Sequence, residues 1–441
     1  MAGIGAVSVA GLGADALWAA VRDHAVLTGP ASRFDLTGYP TCQVGEVPAG
    51  ALAGLDDLVP THESLAARYL AAATLEALAD AGRSPGEPAL SSRAGTLVGS
   101  ASGGGVGPAS RTPVGPTSGD RVGPAGRGDL RSDTRERVGI FVGSVMATRP
   151  LLDRGIGPRG LAVRGRAWAR PGTLLDVVRR VVRVTGPTVL VASGCSAGNA
   201  AIAAGYRAVR AGEVDVAICA GADELSLEVF AMFTALRALA PDVVRPFDVA
   251  RRGTVPAEGA GVLVLERADR LTARGGRPRA RLLGCASSAD AYHMTHPHPD
   301  GAALVTTLQT LLGRAGRQAE EIDWVCAHGT GTPANDGVEA RATAKGLAGR
   351  RPPVVSSLKG QLGHAVGAAA ALEAVIAVRA LAGDLIPGNV TLDRPDPECA
   401  GIDLVPAEGR RVPVRLVASP AAGFGGGVTT LLLGREGDDD A

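Results

Sequence analysis

The chain predicts an α/β protein. Short apolar, β-branched runs alternate with alanine-rich stretches of helical length. One such run turns abruptly at Ser-Gly into a helix-forming segment. A late stretch, Val366 to Leu381, is nearly all Ala, Val, Ile and Leu, which suits a buried helix rather than an amphipathic surface one. In order, Val189 to Ala192 reads as a strand and Ala197 to Ala211 as a helix. Val214 to Ala220 and Gly261 to Glu266 read as strands, the latter leading into a charged turn. Asp323 to Ala327 is a further strand, followed by a helix from about Asp336.

Composition narrows the class. The 441 residues are enough for one large core or two domains. Hydrophobic residues make up 46% and charged residues 20%, while aromatics are only 3%, so packing must rest on Ala, Val and Leu. A net charge of +1 gives no global field towards nucleic acid or a membrane surface. The six cysteines (Cys42, Cys195, Cys219, Cys285, Cys326 and Cys399) show no Cys-x-x-Cys pair and no disulfide framework, which suits a reducing cytoplasm. The N-terminus lacks a signal peptide's pattern, and no run of 18 apolar residues marks a membrane span.

Residues 88–136 are rich in Gly, Ser, Pro, Arg and Thr and poor in large apolar residues, a composition that predicts a disordered insertion. Near-repeats flank it, Arg93-Ala-Gly-Thr-Leu-Val-Gly-Ser and Arg137-Val-Gly-Ile-Phe-Val-Gly-Ser. Val138 to Val142 is the more apolar copy and the better strand.

Cys195 sits in Thr188-Val-Leu-Val-Ala-Ser-Gly-Cys-Ser-Ala-Gly-Asn. A thiol between a strand and a helix faces unpaired N–H groups and the positive end of the helix dipole. Both favour a reactive, low-pKa thiolate, and the N–H groups can hold an oxyanion. A buried core cysteine is the plainer alternative. His328 opens His-Gly-Thr-Gly-Thr, and His364 closes Ser356-Ser-Leu-Lys-Gly-Gln-Leu-Gly-His. Each follows a strand-like run, where a rigid sheet can hold catalytic groups. A cysteine and two histidines in such contexts point to nucleophilic catalysis. His293, His296 and His298 form a His-x-x-His-x-His string, but only Asp300 supplies a nearby carboxylate, so no metal is expected. Gly11-Leu-Gly and Gly423-Phe-Gly-Gly-Gly fit no nucleotide fingerprint.

These four ordered motifs, together with Arg245-Pro-Phe-Asp-Val-Ala-Arg-Arg-Gly and Ser287-Ser-Ala-Asp-Ala-Tyr-His-Met-Thr, resemble the elongating β-ketoacyl-ACP synthases of type II fatty-acid and polyketide assembly. The resemblance implies a thiolase fold, with two pseudo-repeated α/β halves in five layers (α-β-α-β-α). The halves are expected at 1–250, carrying the nucleophile, and 251–441, carrying the histidines. It implies decarboxylative condensation of an acyl chain on Cys195 with malonyl-ACP. His328 and His364 would stabilise the enolate as neutral donors. The N–H groups of Cys195 and Phe424 would form the oxyanion hole. Lys359 would orient the site and pair with Glu339. Thr330 and Thr332 would bond the phosphopantetheine arm, Phe424 would gate the acyl pocket, and Gly425 would adjoin the arm. No resident cofactor is implied. The implied partners are an acyl carrier protein and a second ketosynthase-like subunit in a homodimer or heterodimer. Arg68 and Arg237 are candidates for the carrier-protein face. A non-elongating chain-length-factor subunit and an acyltransferase that forms an ester or amide without decarboxylation are the alternatives. The intact Cys195, His328 and His364 argue against both.

Overall fold

The computed structural model describes residues 1–56, 59, 64–84, 136–150, 156–157, 160–161 and 172–437. The Arg93 copy of the near-repeat, residues 88–135 of the expected insertion and most of the stretch from 151 to 170 lie outside the described residues. The described residues on either side of 85–135 are joined directly. Arg83 grips Glu136 with both guanidinium arms at 3.0 Å and also pairs with Glu266 at 2.9 Å.

The elements that build the fold are β1 (Gly3–Ser8), α1 (Ala14–Arg22), α2 (Leu65–Asp80), β2 (Val138–Gly143), α3 (Thr173–Val181), β3 (Thr188–Val191), α4 (Ala197–Arg210), β4 (Val216–Asp223), α5 (Leu227–Ala235) and β5 (Gly259–Glu266). They continue as β6 (Arg281–Ala289), α6 (Ala302–Ala315), β7 (Trp324–Cys326), α7 (Asp336–Gly346), β8 (Val354–Ser356), α8 (Val366–Gly383), β9 (Leu416–Ala422) and β10 (Gly427–Gly434). The strands and helices expected from periodicity are all present, with ends shifted by three residues or fewer. Val138 does begin the strand of the apolar repeat copy.

Two six-stranded sheets share one plan. The first runs β1-β5-β4-β2-β3 with Gly11–Leu12 at its edge, and the second β6-β10-β9-β7-β8 with Asp403–Leu404 at its edge. In each, the first two pairings are antiparallel and the next two parallel. The pseudo-repeat of the two halves is thus plain in topology, where β4 and β9 are equivalent. The first sheet includes β5 and the second starts at β6, so the crossover falls between Glu266 and Arg281 rather than at residue 250.

α4 and α8 pack on each other between the sheets, α2 and α3 cover the outside of the first, and α6 and α7 flank the second. This is the five-layered thiolase fold. Two helices sandwiched by sheets must be apolar on every side, and α8 is buried along nearly its whole length. By length and composition α8 could cross a membrane, but 83% of it is buried inside the fold. Small residues let the layers close up. A Cβ on Gly261 of β5 would lie 2.5 Å from the backbone of Ala371 in α8.

Candidate active site

Parallel strands of the two sheets end at the same place, and the turns after them carry the chemistry. Cys195 follows β3 and precedes α4. His364 follows β8 and precedes α8, the pseudo-equivalent position. His328 follows β7, and Phe424 lies in the turn between β9 and β10. Cys195, His328, His364, Thr330, Thr332, Glu339 and Phe424 all line one cavity of about 320 Å³. The sequence motifs, spread over 230 residues of chain, are therefore one site.

Cys195 is buried, 6% exposed, in a short 3₁₀ turn, Gly194–Ser196, that leads into α4. Gly194 takes φ +62, a conformation that costs a residue with a Cβ. A Cβ there would also stand 3.0 Å from Phe424 O and 3.1 Å from Phe424 N. A Cβ on Gly423 would stand 3.0 Å from Cys195 N. The backbones of the thiol turn and the Phe424 turn thus lie against each other, as an oxyanion hole shared between Cys195 and Phe424 requires.

The thiol itself differs from expectation. A helix N-terminus was expected to lower its pKa, but burial pushes it up to about 12, with Lys359 and its own N–H pulling the other way. That direction favours the protonated thiol as the resting form. Burial, and then the charge of Lys359, hold His328 and His364 well below the ordinary imidazole value, so both rings are neutral. Their rings meet edge-on with centroids 5.4 Å apart. His364 Nδ1 is buried without a hydrogen-bond partner, and Phe233 packs against the ring at 6.3 Å. The His364 backbone is fixed by two bonds to the segment before β5: its N–H donates to Val255 O at 2.7 Å, and its carbonyl accepts from Ala257 N at 2.9 Å.

Lys359 pairs with Glu373, not with Glu339. Lys359 Nζ donates to Glu373 Oε1 at 2.5 Å, and both groups are almost wholly buried. Glu339 has another job: its carboxylate accepts the N–H groups of His328 and Gly329 at 2.7 and 2.8 Å and the Asn335 side chain at 2.8 Å. It shapes the His328 turn, and its carboxyl, raised by burial, feels Lys359 only as a weaker charge. Lys359 does not line the main cavity. It borders a smaller one beside Glu373 and Glu258. The sequence did hold a signal for Glu373, a lone acid inside an apolar helix whose buried charge needs a partner.

Other supports were not foreseen. Ser357 Oγ donates to Gly329 O at 2.8 Å, and buried Asp336 accepts Gly331 N–H at 3.1 Å and Phe247 N–H at 2.8 Å. Together they fix the Gly329–Gly331 loop, which presents Thr330 and Thr332 with their hydroxyls 2.9 Å apart. Phe424 is 37% exposed, and its ring packs on Phe233 at 6.1 Å. Gly425 does not line the cavity; its N–H donates to Met294 O at 2.7 Å and ties the Phe424 turn to the 290–298 loop. His293 and His296 touch edge-on in that loop, and His296 reaches the cavity. Arg68 is turned inward onto Asp56, whereas Arg237 lines the cavity.

Comparison with known proteins agrees with this geometry. The sequence models of the β-ketoacyl synthase N-terminal and C-terminal domains match residues 125–270 and 279–393. A putative polyketide beta-ketoacyl synthase 1 of Streptomyces halstedii is 37% identical over 61% of this chain, and the match spans 65% of that relative's length. A 3-oxoacyl-[acyl-carrier-protein] synthase 2 of Coxiella burnetii is 33% identical over 70% of this chain and 77% of its own. Among solved structures, the ishigamide ketosynthase/chain length factor superposes with a TM-score of 0.83 at 31% identity, covering 99% of this chain and 98% of the other. The chain belongs to the β-ketoacyl synthase family.

Proposed function

We propose that the protein condenses an acyl chain carried on Cys195 with a malonyl group on an acyl carrier protein, losing carbon dioxide and giving a 3-oxoacyl thioester. The observation that carries this reading is the meeting of one buried thiol and two neutral imidazoles in a single, mostly apolar cavity. The relatives' names, polyketide and fatty-acid synthases, agree with it.

In the first half-reaction Cys195 Sγ attacks the carbonyl of an acyl thioester. The thiol's proton leaves as the S–C bond forms, and a neutral imidazole in the same cavity is the available acceptor. The tetrahedral oxygen takes hydrogen bonds from the N–H groups of Cys195 and Phe424, and the carrier's thiol departs. In the second, a malonyl thioester enters past Thr330 and Thr332. Carbon dioxide is lost, and the enolate oxygen accepts hydrogen bonds from His328 and His364. Neutral rings suit this step, since each donates its proton without having first to shed one. The carbanion then attacks the Cys195 thioester and expels the sulfur as a thiolate, which takes up a proton from solvent to restore the thiol. Burial first, and then the charge of Lys359 tied to Glu373, keep both histidines neutral.

A carrier-protein partner and a ketosynthase-like second subunit belong to the same proposal, as does specialised polyketide rather than housekeeping fatty-acid assembly. All six cysteines are unpaired, which suits a reducing cytoplasm. Incubating the purified protein with acyl-ACP and malonyl-ACP tests the reading. Wild type yields 3-oxoacyl-ACP and Cys195→Ala yields none; condensation by the alanine variant would refute the nucleophile.

A further inference from the structure

Asp223 ends β4 with its side chain fully buried. A carboxylate taken out of water is costly unless donors meet it. Four groups do so here. Ser144 Oγ donates at 2.6 Å, Val145 N–H at 3.0 Å, Met146 N–H at 2.9 Å and Gly367 N–H at 2.8 Å. The first three belong to the turn after β2. The fourth opens α8, which follows the second sheet's β8 in the chain. One side chain thus joins a turn of one half to a helix start of the other.

Both joined segments hold unfavourable backbone. Ala147 takes φ +50 and the β-branched Val366 takes φ +49. Left-handed geometry disfavours a residue with a Cβ, and it persists only where surroundings over-determine it. The bonds to Asp223 lie one residue from each strained position. The same segments stand beside the thiol, for Met146 and Val366 pack with Cys195, Val229 and Phe233 in one apolar cluster. Neither Met146 nor Val366 lines the open cavity.

We propose that Asp223 is a positioning residue, clamping the Ser144–Met146 turn to the start of α8 and so fixing the apolar wall against which a chain on Cys195 must fit. The proposal rests on Cys195 as the acyl-carrying thiol. It differs from the plain role of a buried polar residue in one respect: loosening the clamp alters what fits beside the thiol before it unfolds the chain.

The test is the rate at which Cys195 is alkylated by N-methyl-, N-butyl- and N-octylmaleimide, read at that peptide by mass spectrometry, with exposed Cys42 as the internal reference. Asp223→Asn sets an amide NH₂ against N–H donors, and Ser144→Ala removes one donor of the four. The ratio of methyl to octyl rates at Cys195 is expected to change about tenfold in Asp223→Asn, and in the same direction but less in Ser144→Ala. The Cys42 ratio is expected to stay constant. An unchanged Cys195 ratio in both variants would overturn the clamp, as would a change shared by Cys42. Should Asp223→Asn fail to fold, Ser144→Ala decides alone. Because the probes need no carrier protein, a wild type that accepts no acyl group would refute the proposed reaction and leave the clamp's own result standing.

Discussion

Lys359 and Glu373 form a buried ion pair, Nζ to Oε1 at 2.5 Å, that couples the His364 turn to the middle of α8. Removing one partner strands the other without water. Lys359→Met should therefore destabilise the fold by about 3–5 kcal/mol, and the double variant Lys359→Met with Glu373→Leu should recover most of that loss. Urea denaturation of the wild type, the single variant and the double variant checks this. A double variant no more stable than the single one would mean that the pair does not act as a unit.

Cys195 should titrate late. Its thiol is pushed up to about 12 by burial, so its alkylation rate by iodoacetamide should climb without a plateau from pH 7 to beyond the ordinary thiol pKa of about 8.5. A plateau below pH 8 would show that the helix terminus and Lys359 outweigh burial and that the resting form is the thiolate.

The two site histidines should refuse protons. Both are held well below the imidazole value by burial and Lys359. Their folded pKa values are depressed for a base, so the neutral form is present at neutral pH and persists as pH falls through about 6.5, where a free imidazole would charge. With ¹³C-labelled histidine and assignment by His328→Ala and His364→Ala, their resonances should stay at neutral positions as pH falls through the ordinary imidazole value of about 6.5. Movement of either with a midpoint near 6.5 would remove the argument for neutral donors.

Gly194 tests the oxyanion geometry. Alanine there must hold φ +62 and push against Phe424 N and O. Gly194→Ala should cost about 1–2 kcal/mol in stability from the backbone alone. Its Cys195 acylation rate should fall by about 10²–10³, the usual effect of losing an oxyanion donor. Single-turnover acylation followed by mass spectrometry reads this; a normal rate would place the oxyanion elsewhere.

Much of this was legible in the residues. Strand-to-helix turns announce themselves by β-branched runs ending at glycine, and both the Cys195 and His364 turns do so. The partners of those residues were harder to read. Glu339 lies 20 residues before Lys359 in the chain and Glu373 lies 14 after it, and only the fold of α8 over the His364 turn decides between them. The thiol's resting state was misread because local sequence shows the helix terminus but not the burial. Asp223 carried no signal at all: an acid at the end of an apolar strand looks like a surface turn until Gly367, 144 residues later, is seen to donate to it. The repeat of the two halves, invisible in the residues, lies wholly in strand order and direction.

The most direct test of the central claim is intact-mass analysis of the protein after exposure to acyl-ACP, followed by addition of malonyl-ACP. One acyl group should appear on Cys195, vanish on adding malonyl-ACP with release of carbon dioxide, and reappear on the carrier as the 3-oxoacyl product extended by two carbons. An acyl group that never forms on Cys195, or one that leaves without decarboxylation, would contradict it.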